Sequence, residues 1–324
     1  MNLHMVIYLL GWLLLCEGAL MVLPLLVAFL DMDSGISAFM ITIALCLLLG
    51  WLMVRRKPAK RMLYLREGFV VTALGWIVIS VFGALPFLFT GAITDPISAL
   101  FETVSGFTTT GASILTDVEV LPRSLLFWRS FTHWIGGMGV LVFLLTLLPL
   151  TGGSHINLMR AESPGPQVEK LVPKVQSTAK ILYGIYILLT ILEILLLLAG
   201  KMPLFDAVTT TFGTAGTGGF GIKNNSIAGY STYLQNVVTV FMILFGVNFN
   251  FYFLLLLRRF RKAFSMEEVR AYLLIIAAAI LIITLNIRDM YESPLHAFQQ
   301  AAFQVGSIIT TTGFSTTDFD LWPE

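Results

Sequence analysis

The run Thr108-Thr-Thr-Gly111 recurs near the end of the chain as Thr310-Thr-Thr-Gly313, and a divergent copy reads Thr217-Gly218-Gly219. Residues of these types present backbone to a ligand. Glycine reaches dihedrals closed to other residues and can turn neighbouring carbonyl oxygens toward a common axis. Several such loops together can replace the hydration shell of a dehydrated cation. Other chemistry is poorly supplied. Cys16 and Cys46 sit in apolar runs without CxxC or ligand spacing, and His4, His133, His155 and His296 are scattered with no HExxH, so neither redox chemistry nor a zinc site is expected. The formal GxGxxG match at Gly216–Gly221 lacks a preceding strand, which argues against a dinucleotide site.

Each Thr/Gly loop closes an apolar segment introduced by proline, at Pro96, Pro203 and Pro294, and proline suits the first turn of a helix. These segments predict half-helices too short to span a bilayer. Irregular backbone at membrane depth survives only where it is buried in protein or lines a water-filled cavity. The half-helices would aim their C-terminal ends, each about half a negative charge, at the loops and so favour cations. The order helix, half-helix, Thr/Gly loop, helix returns about every hundred residues, which marks an internal repeat.

The setting is membranous. Of 324 residues, 57% are hydrophobic and 12% charged, with a mean hydropathy of +0.85, where an ordinary soluble domain carries roughly 25% charge. Seven stretches are long and apolar enough to cross: Met5–Leu30, Ile36–Val54, Phe69–Thr90, Leu125–Leu150, Ile181–Gly200, Val237–Leu257 and Tyr272–Ile287. The first lacks a basic n-region and a cleavage site, so it reads as a retained helix and not a signal peptide. With the N-terminus in the cytoplasm, all but Arg123, Arg129, Lys201, Lys223 and Arg288 of the 20 basic residues lie inside, while most acids lie outside. The formal net charge of +1 gives no reason to expect a nucleic-acid partner.

At these residues the chain resembles the membrane subunit of Trk-type potassium uptake systems, in the wider Trk, Ktr and HKT superfamily. The resemblance is carried by Phe107-Thr-Thr-Thr-Gly-Ala112, Phe127-Trp-Arg-Ser-Phe-Thr-His-Trp-Ile-Gly-Gly-Met-Gly-Val140, Ala161-Glu-Ser-Pro-Gly-Pro166 and Thr310-Thr-Thr-Gly-Phe314. It implies an all-α polytopic membrane protein with membrane helix, pore half-helix, filter loop and membrane helix repeated around a central cation pathway. Filter glycines would be Gly111, Gly219 and Gly313, with Thr109, Thr110, Thr217, Gly218, Thr311 and Thr312 as carbonyl-donating neighbours that bind potassium. The expected organisation is two leading helices (1–66), a first pore repeat (67–155), a cytoplasmic linker (156–180), a second repeat (181–262) and an incomplete third (263–324). A fourth repeat, which the family has, is absent, and a fragment of a longer protein is expected.

The resemblance also implies a homodimer with one pore per subunit, a cytosolic nucleotide-binding regulatory subunit, and a multi-pass location in a bacterial plasma (inner) membrane, surrounded by lipid. The expected function is potassium uptake through a channel-like pore driven by the membrane potential, with no cofactor besides the transported ion. The alternative is a secondary transporter coupling potassium or sodium to another ion. An enzyme is not expected, since no acid, base or metal cluster accompanies the loops.

Several other residues carry open readings. Glu102, nine residues before Gly111, could brace a filter or attract cations. Arg129 and His133 share a helical face and are expected to pack behind the filter as support. The intramembrane carboxyls Glu17 and Glu193 must face protein or water, either in hydrogen bonds to neighbouring helices or in a direct role. Asn248 and Asn250 are expected to bond neighbouring helices. The run Arg258-Arg-Phe-Arg-Lys262 is first a topology anchor, open also to anionic lipid or a cytosolic partner.

Overall fold

A computed structural model describes residues 2–58, 65–139 and 175–323, and among these residues there is no strand. The helices are α1 (Leu3–Leu20), α2 (Val22–Asp31), α3 (Gly35–Val54), α4 (Leu65–Phe89), α5 (Pro96–Phe107), α6 (Arg123–Gly137), α7 (Val175–Ala199), α8 (Leu204–Ala215), α9 (Thr232–Gly246), α10 (Phe249–Leu256), α11 (Phe260–Phe264), α12 (Glu267–Ile287) and α13 (Pro294–Ile309). Five helical segments are long and apolar enough to cross a membrane, six if the bent pair α9 and α10 counts as one span. Of the expected fourth span, Leu125–Leu150, α6 supplies the first part. The remainder lies outside the described residues, as do most of the expected linker, the Ala161–Pro166 motif and the basic residues Lys60, Arg61, Arg160, Lys170 and Lys174.

The described chain divides into two compact units. One comprises residues 1–108, 112–116 and 120–183, and the other 109–111, 117–119 and 184–324. In the first unit, α1 and α2 run on as a single 29-residue apolar segment because Met21 keeps helical dihedrals between them. Helix α3 packs closely along α1 through small residues. A Cβ on Gly11 would fall 2.7 Å from the Met53 Cβ, and one on Gly50 would fall 2.9 Å from the Gly11 carbonyl. Lipid is as apolar as leucine, so such close approach, and not apolar burial, holds helices together in a bilayer. The start of α3 is pinned to α6 by Asp33, whose carboxylate accepts from the Gly35 amide, the Ser124 amide and the Ser124 hydroxyl. Trp128 of α6 is fully buried among Phe39, Phe107 and Phe131 and donates its indole N–H to the Gly83 carbonyl at 2.9 Å.

In the second unit, an apolar cluster of Leu197, Met202, Ala207, Leu234, Val238, Met242, Phe303 and Phe314 unites α7, α8, α9 and α13. The expected sixth span, Val237–Leu257, is corrected here: it is broken, with α9 and α10 meeting at 87°. Val247 is extended (φ −72°, ψ 138°), and the Asn248 side chain accepts from the Asn250 amide to cap α10. Asparagine competes with the helical backbone in this way. Carbonyls near the end of α9 find side-chain donors, Leu244 from the Tyr252 hydroxyl at 2.6 Å and Ile243 from the Tyr272 hydroxyl at 3.1 Å. Asn248 also donates to Glu268 of α12 at 2.9 Å, which meets the expectation of a bond to a neighbouring helix, whereas the same expectation fails at Asn250, whose side-chain oxygen is buried and meets no hydrogen-bond partner among the described residues.

Candidate functional site

The three half-helices form as the prolines suggest, with one adjustment. Helix α5 starts at Pro96 behind Asp95, which accepts from the Ser98 amide, and α13 starts at Pro294 behind Ser293, which accepts from the His296 amide. Pro203 is instead the residue before α8, and no side chain caps that helix. The half-helices have 12, 12 and 16 residues, about 18 to 24 Å of rise against a hydrocarbon core of about 30 Å.

Beyond their C-termini the three loops share one backbone signature. Thr109, Thr217 and Thr311 have φ of 55°, 52° and 60°, and two residues later Gly111, Gly219 and Gly313 have φ of 76°, 74° and 84°. Left-handed dihedrals are expected of glycine, but in a β-branched threonine they are outliers. Three threonines at one register therefore store strain, a feature associated with functional backbone. The loop amides turn back on the half-helices. Gly213 O accepts from the Gly218 and Gly219 amides, and Ser307 O, at the equivalent register, accepts from the Thr312 and Gly313 amides.

All nine expected site residues, Thr109, Thr110, Gly111, Thr217, Gly218, Gly219, Thr311, Thr312 and Gly313, lie in the second unit. Its loops abut in chain order. A Cβ built on Gly111 would lie 2.0 Å from the Gly218 carbonyl oxygen, and one on Gly219 would lie 1.8 Å from the Thr312 carbonyl oxygen. Each glycine thus takes the middle carbonyl of the next loop against its α-carbon, which any side chain would prevent. At Gly313 nothing among the described residues lies within 4 Å of the equivalent point. The third loop is braced by Thr310, whose hydroxyl donates to Gly306 O and meets the Thr312 hydroxyl at 2.7 Å. Its exit is fastened by Ser307 Oγ donating to Phe314 O and by the Ile227 amide donating to Ser315 O.

Glu102, which the sequence alone allows either to brace a filter or to attract cations, has its partners within the first unit. Its carboxylate meets Arg129 Nε at 2.5 Å, accepts from Ser113 Oγ at 3.0 and 3.1 Å, and accepts from the Ile114 amide at 3.1 Å. Glu102 and Arg129 are both buried. The carboxylate therefore braces the segment that leaves the first loop. His133 is fully buried, one turn beyond Arg129, against the Ser105 backbone.

Other groups were missed or behave differently. The Glu17 and Glu193 carboxyl oxygens are buried, and no hydrogen-bond partner meets them among the described residues. Of the two readings open for them, hydrogen bonds to neighbouring helices do not form by geometry among the described residues, and the Thr214 hydroxyl beside Glu193 donates to Thr210 O. Unanticipated braces include Thr316 Oγ1 donating to Gln300 Oε1 and Gln299 Nε2 donating to Gln235 Oε1. Outside the helices, burial together with the Asp206 carboxylate that accepts its hydroxyl pushes Tyr230 up, and Lys223 lies over its ring.

Helices that cross a membrane, interleaved with half-helices ending in strained, backbone-presenting loops, define a polytopic membrane transport protein. Residues 35–324 match the TrkH family of cation transport proteins, and the chain belongs to that family. It is 36% identical to the Trk system potassium uptake protein TrkH of Halomonas elongata, over 100% of this chain and 68% of that protein. It is 37% identical to the protein of the same name from Salmonella typhimurium, over 97% of this chain and 66% of that one. The crystal structure of the potassium transporter TrkH from Vibrio parahaemolyticus superposes with a TM-score of 0.83 at 31% identity, covering 100% of this chain and 68% of that one. The chain thus spans about two thirds of the length of these relatives. The family is one of transporters, not of enzymes.

Proposed function

We propose that this chain contributes to potassium uptake through a channel-like pore, in which the carbonyls of residues 109–111, 217–219 and 311–313 coordinate the dehydrated ion. One observation carries this reading: the matched left-handed dihedrals of Thr109, Thr217 and Thr311 and of their partner glycines, in loops that abut in order. The names of the relatives supply the ion. Entry is driven by the membrane potential, about 2.3 kcal/mol per charge per 100 mV. Three filter residues per loop offer fewer ordered carbonyls than a TVGYG filter, so sodium is disfavoured only modestly and rubidium passes.

The working assembly is a homodimer in the bacterial plasma membrane, N-terminus cytoplasmic, regulated by a nucleotide-binding cytosolic subunit on the inner loops. Rubidium uptake into potassium-starved cells expressing the full-length gene tests the reading. Gly111→Ser and Gly313→Ser should change the rubidium-to-sodium ratio. Unchanged ratios together with an altered requirement for a second ion would transfer support to a coupled transporter.

A further inference from the structure

Where α9 ends, the chain turns 87° into α10. A segment turned by that much from a helix running along the bilayer normal runs parallel to the membrane plane. Helix α10 ends at Leu256, and two residues on Arg258 holds φ of 56°. Arg258 N–H donates to Leu255 O and Arg259 N–H to Leu254 O, closing a helix C-terminus whose left-handed residue is usually glycine. Arginine in this position carries strain that glycine would avoid, a feature associated with functional segments.

The following residues form a folded platform. Phe264 of α11 packs edge-on against Phe251 of α10 with centroids 5.4 Å apart, Ala263 is buried, and Arg270 Nε donates to Phe264 O at 2.7 Å. Its outer side mixes two kinds of exposed group. Leu256, Phe260 and Phe264 are 61%, 55% and 59% exposed, and Arg258, Arg259, Arg261 and Lys262 are exposed among them. Of the acids that begin α12, Glu268 is engaged by Asn248.

We infer that residues 256–264 dock onto anionic phospholipid headgroups of the leaflet at which α9 ends. Phe260, Phe264 and Leu256 enter the boundary between headgroups and acyl chains, and the four cations face lipid phosphates. Aromatic and basic side chains exposed together on a surface-lying element are the pattern of an interfacial anchor. A purely ionic protein-docking face would leave three large apolar groups in water.

Thermal unfolding of the purified chain in detergent micelles, titrated with phosphatidylglycerol or phosphatidylcholine, tests the inference. Phosphatidylglycerol should raise the melting temperature far more than phosphatidylcholine, with the difference fading in about 0.5 M salt. Neutralising all four cations (R258Q, R259Q, R261Q, K262Q) should weaken the apparent affinity for phosphatidylglycerol about tenfold or more. Arg258→Gly relieves the backbone strain, so its lipid-free melting temperature should equal or exceed the parent's while its phosphatidylglycerol response falls. That variant separates lost lipid contact from lost folding. Equal responses to the two lipids, a parent-like response in the fourfold variant, or reproduction of the effect by inorganic phosphate would overturn the inference. So would a fourfold variant that keeps its lipid response but no longer binds a cytosolic protein.

Discussion

Arg129 Nε lies 2.5 Å from Glu102 Oε1, a contact between α6 and the half-helix α5 in which neither charge reaches solvent. The same carboxylate accepts from Ser113 and Ile114, so one side chain ties a membrane helix, a half-helix and the chain just beyond Gly111. Breaking a buried pair by removing one partner costs about 3–5 kcal/mol, because the other charge is left alone. Glu102→Gln and Arg129→Met should each destabilise the protein on that scale in thermal unfolding. The double variant should cost clearly less than the sum, a coupling that a double-mutant cycle reads directly.

The glycines of the loops should not be equivalent. Alanine at Gly111 or Gly219 meets both a left-handed backbone and a carbonyl oxygen at 2.0 or 1.8 Å, whereas at Gly313 it meets the backbone term alone. In the isolated 324-residue chain Gly313→Ala should cost about 1–2 kcal/mol. Gly111→Ala and Gly219→Ala should cost more, as read by melting temperature. Equal losses at all three positions would contradict the successive abutment of the loops.

Two half-helices share a capping geometry but differ in how the cap responds to acid. The hydrogen bond from Ser98 holds the exposed Asp95 carboxyl below the usual aspartate range. A depressed folded value means that the cap contributes fully above the unfolded pKa and is lost as pH falls through the folded one. The Ser293 cap on α13 has no such titration. Amide exchange at Ser98 should therefore accelerate below the ordinary aspartate pKa, while that at His296 changes only with the intrinsic rate.

The break between α9 and α10 rests on side-chain donors to freed carbonyls. Tyr272→Phe and Tyr252→Phe should each cost about 0.5–1.5 kcal/mol. Gly246 is more constrained, since a Cβ there would fall 2.4 Å from the Tyr272 hydroxyl oxygen and 2.8 Å from Thr310 Cγ2. Gly246→Val should lower the melting temperature more than either tyrosine variant, and combining it with Tyr272→Phe should recover part of the loss.

What could be read from sequence followed local chemistry. Proline before an apolar stretch and threonine with glycine after it marked the half-helices, because helix starts and stops depend on a few adjacent residues. The turn at Asn248 was hidden, since hydropathy continues through Val247 and only a capping side chain betrays the break. The partners of Glu102 were hidden for a different reason: Arg129 lies 27 residues away, a relation no periodicity encodes. The left-handed threonines could not be anticipated at all, because propensity argues against them and only the surrounding packing enforces the conformation.

The abutment of the loops has a consequence for biogenesis. The carbonyl that seats against Gly111 belongs to Gly218, and the one against Gly219 belongs to Thr312, each made about a hundred residues later. A nascent chain emerging from the ribosome therefore cannot finish one loop before its successor has been synthesised. The seats at Gly111 and Gly219 are thus filled in order of synthesis, like the blades of a fan laid one beside the next.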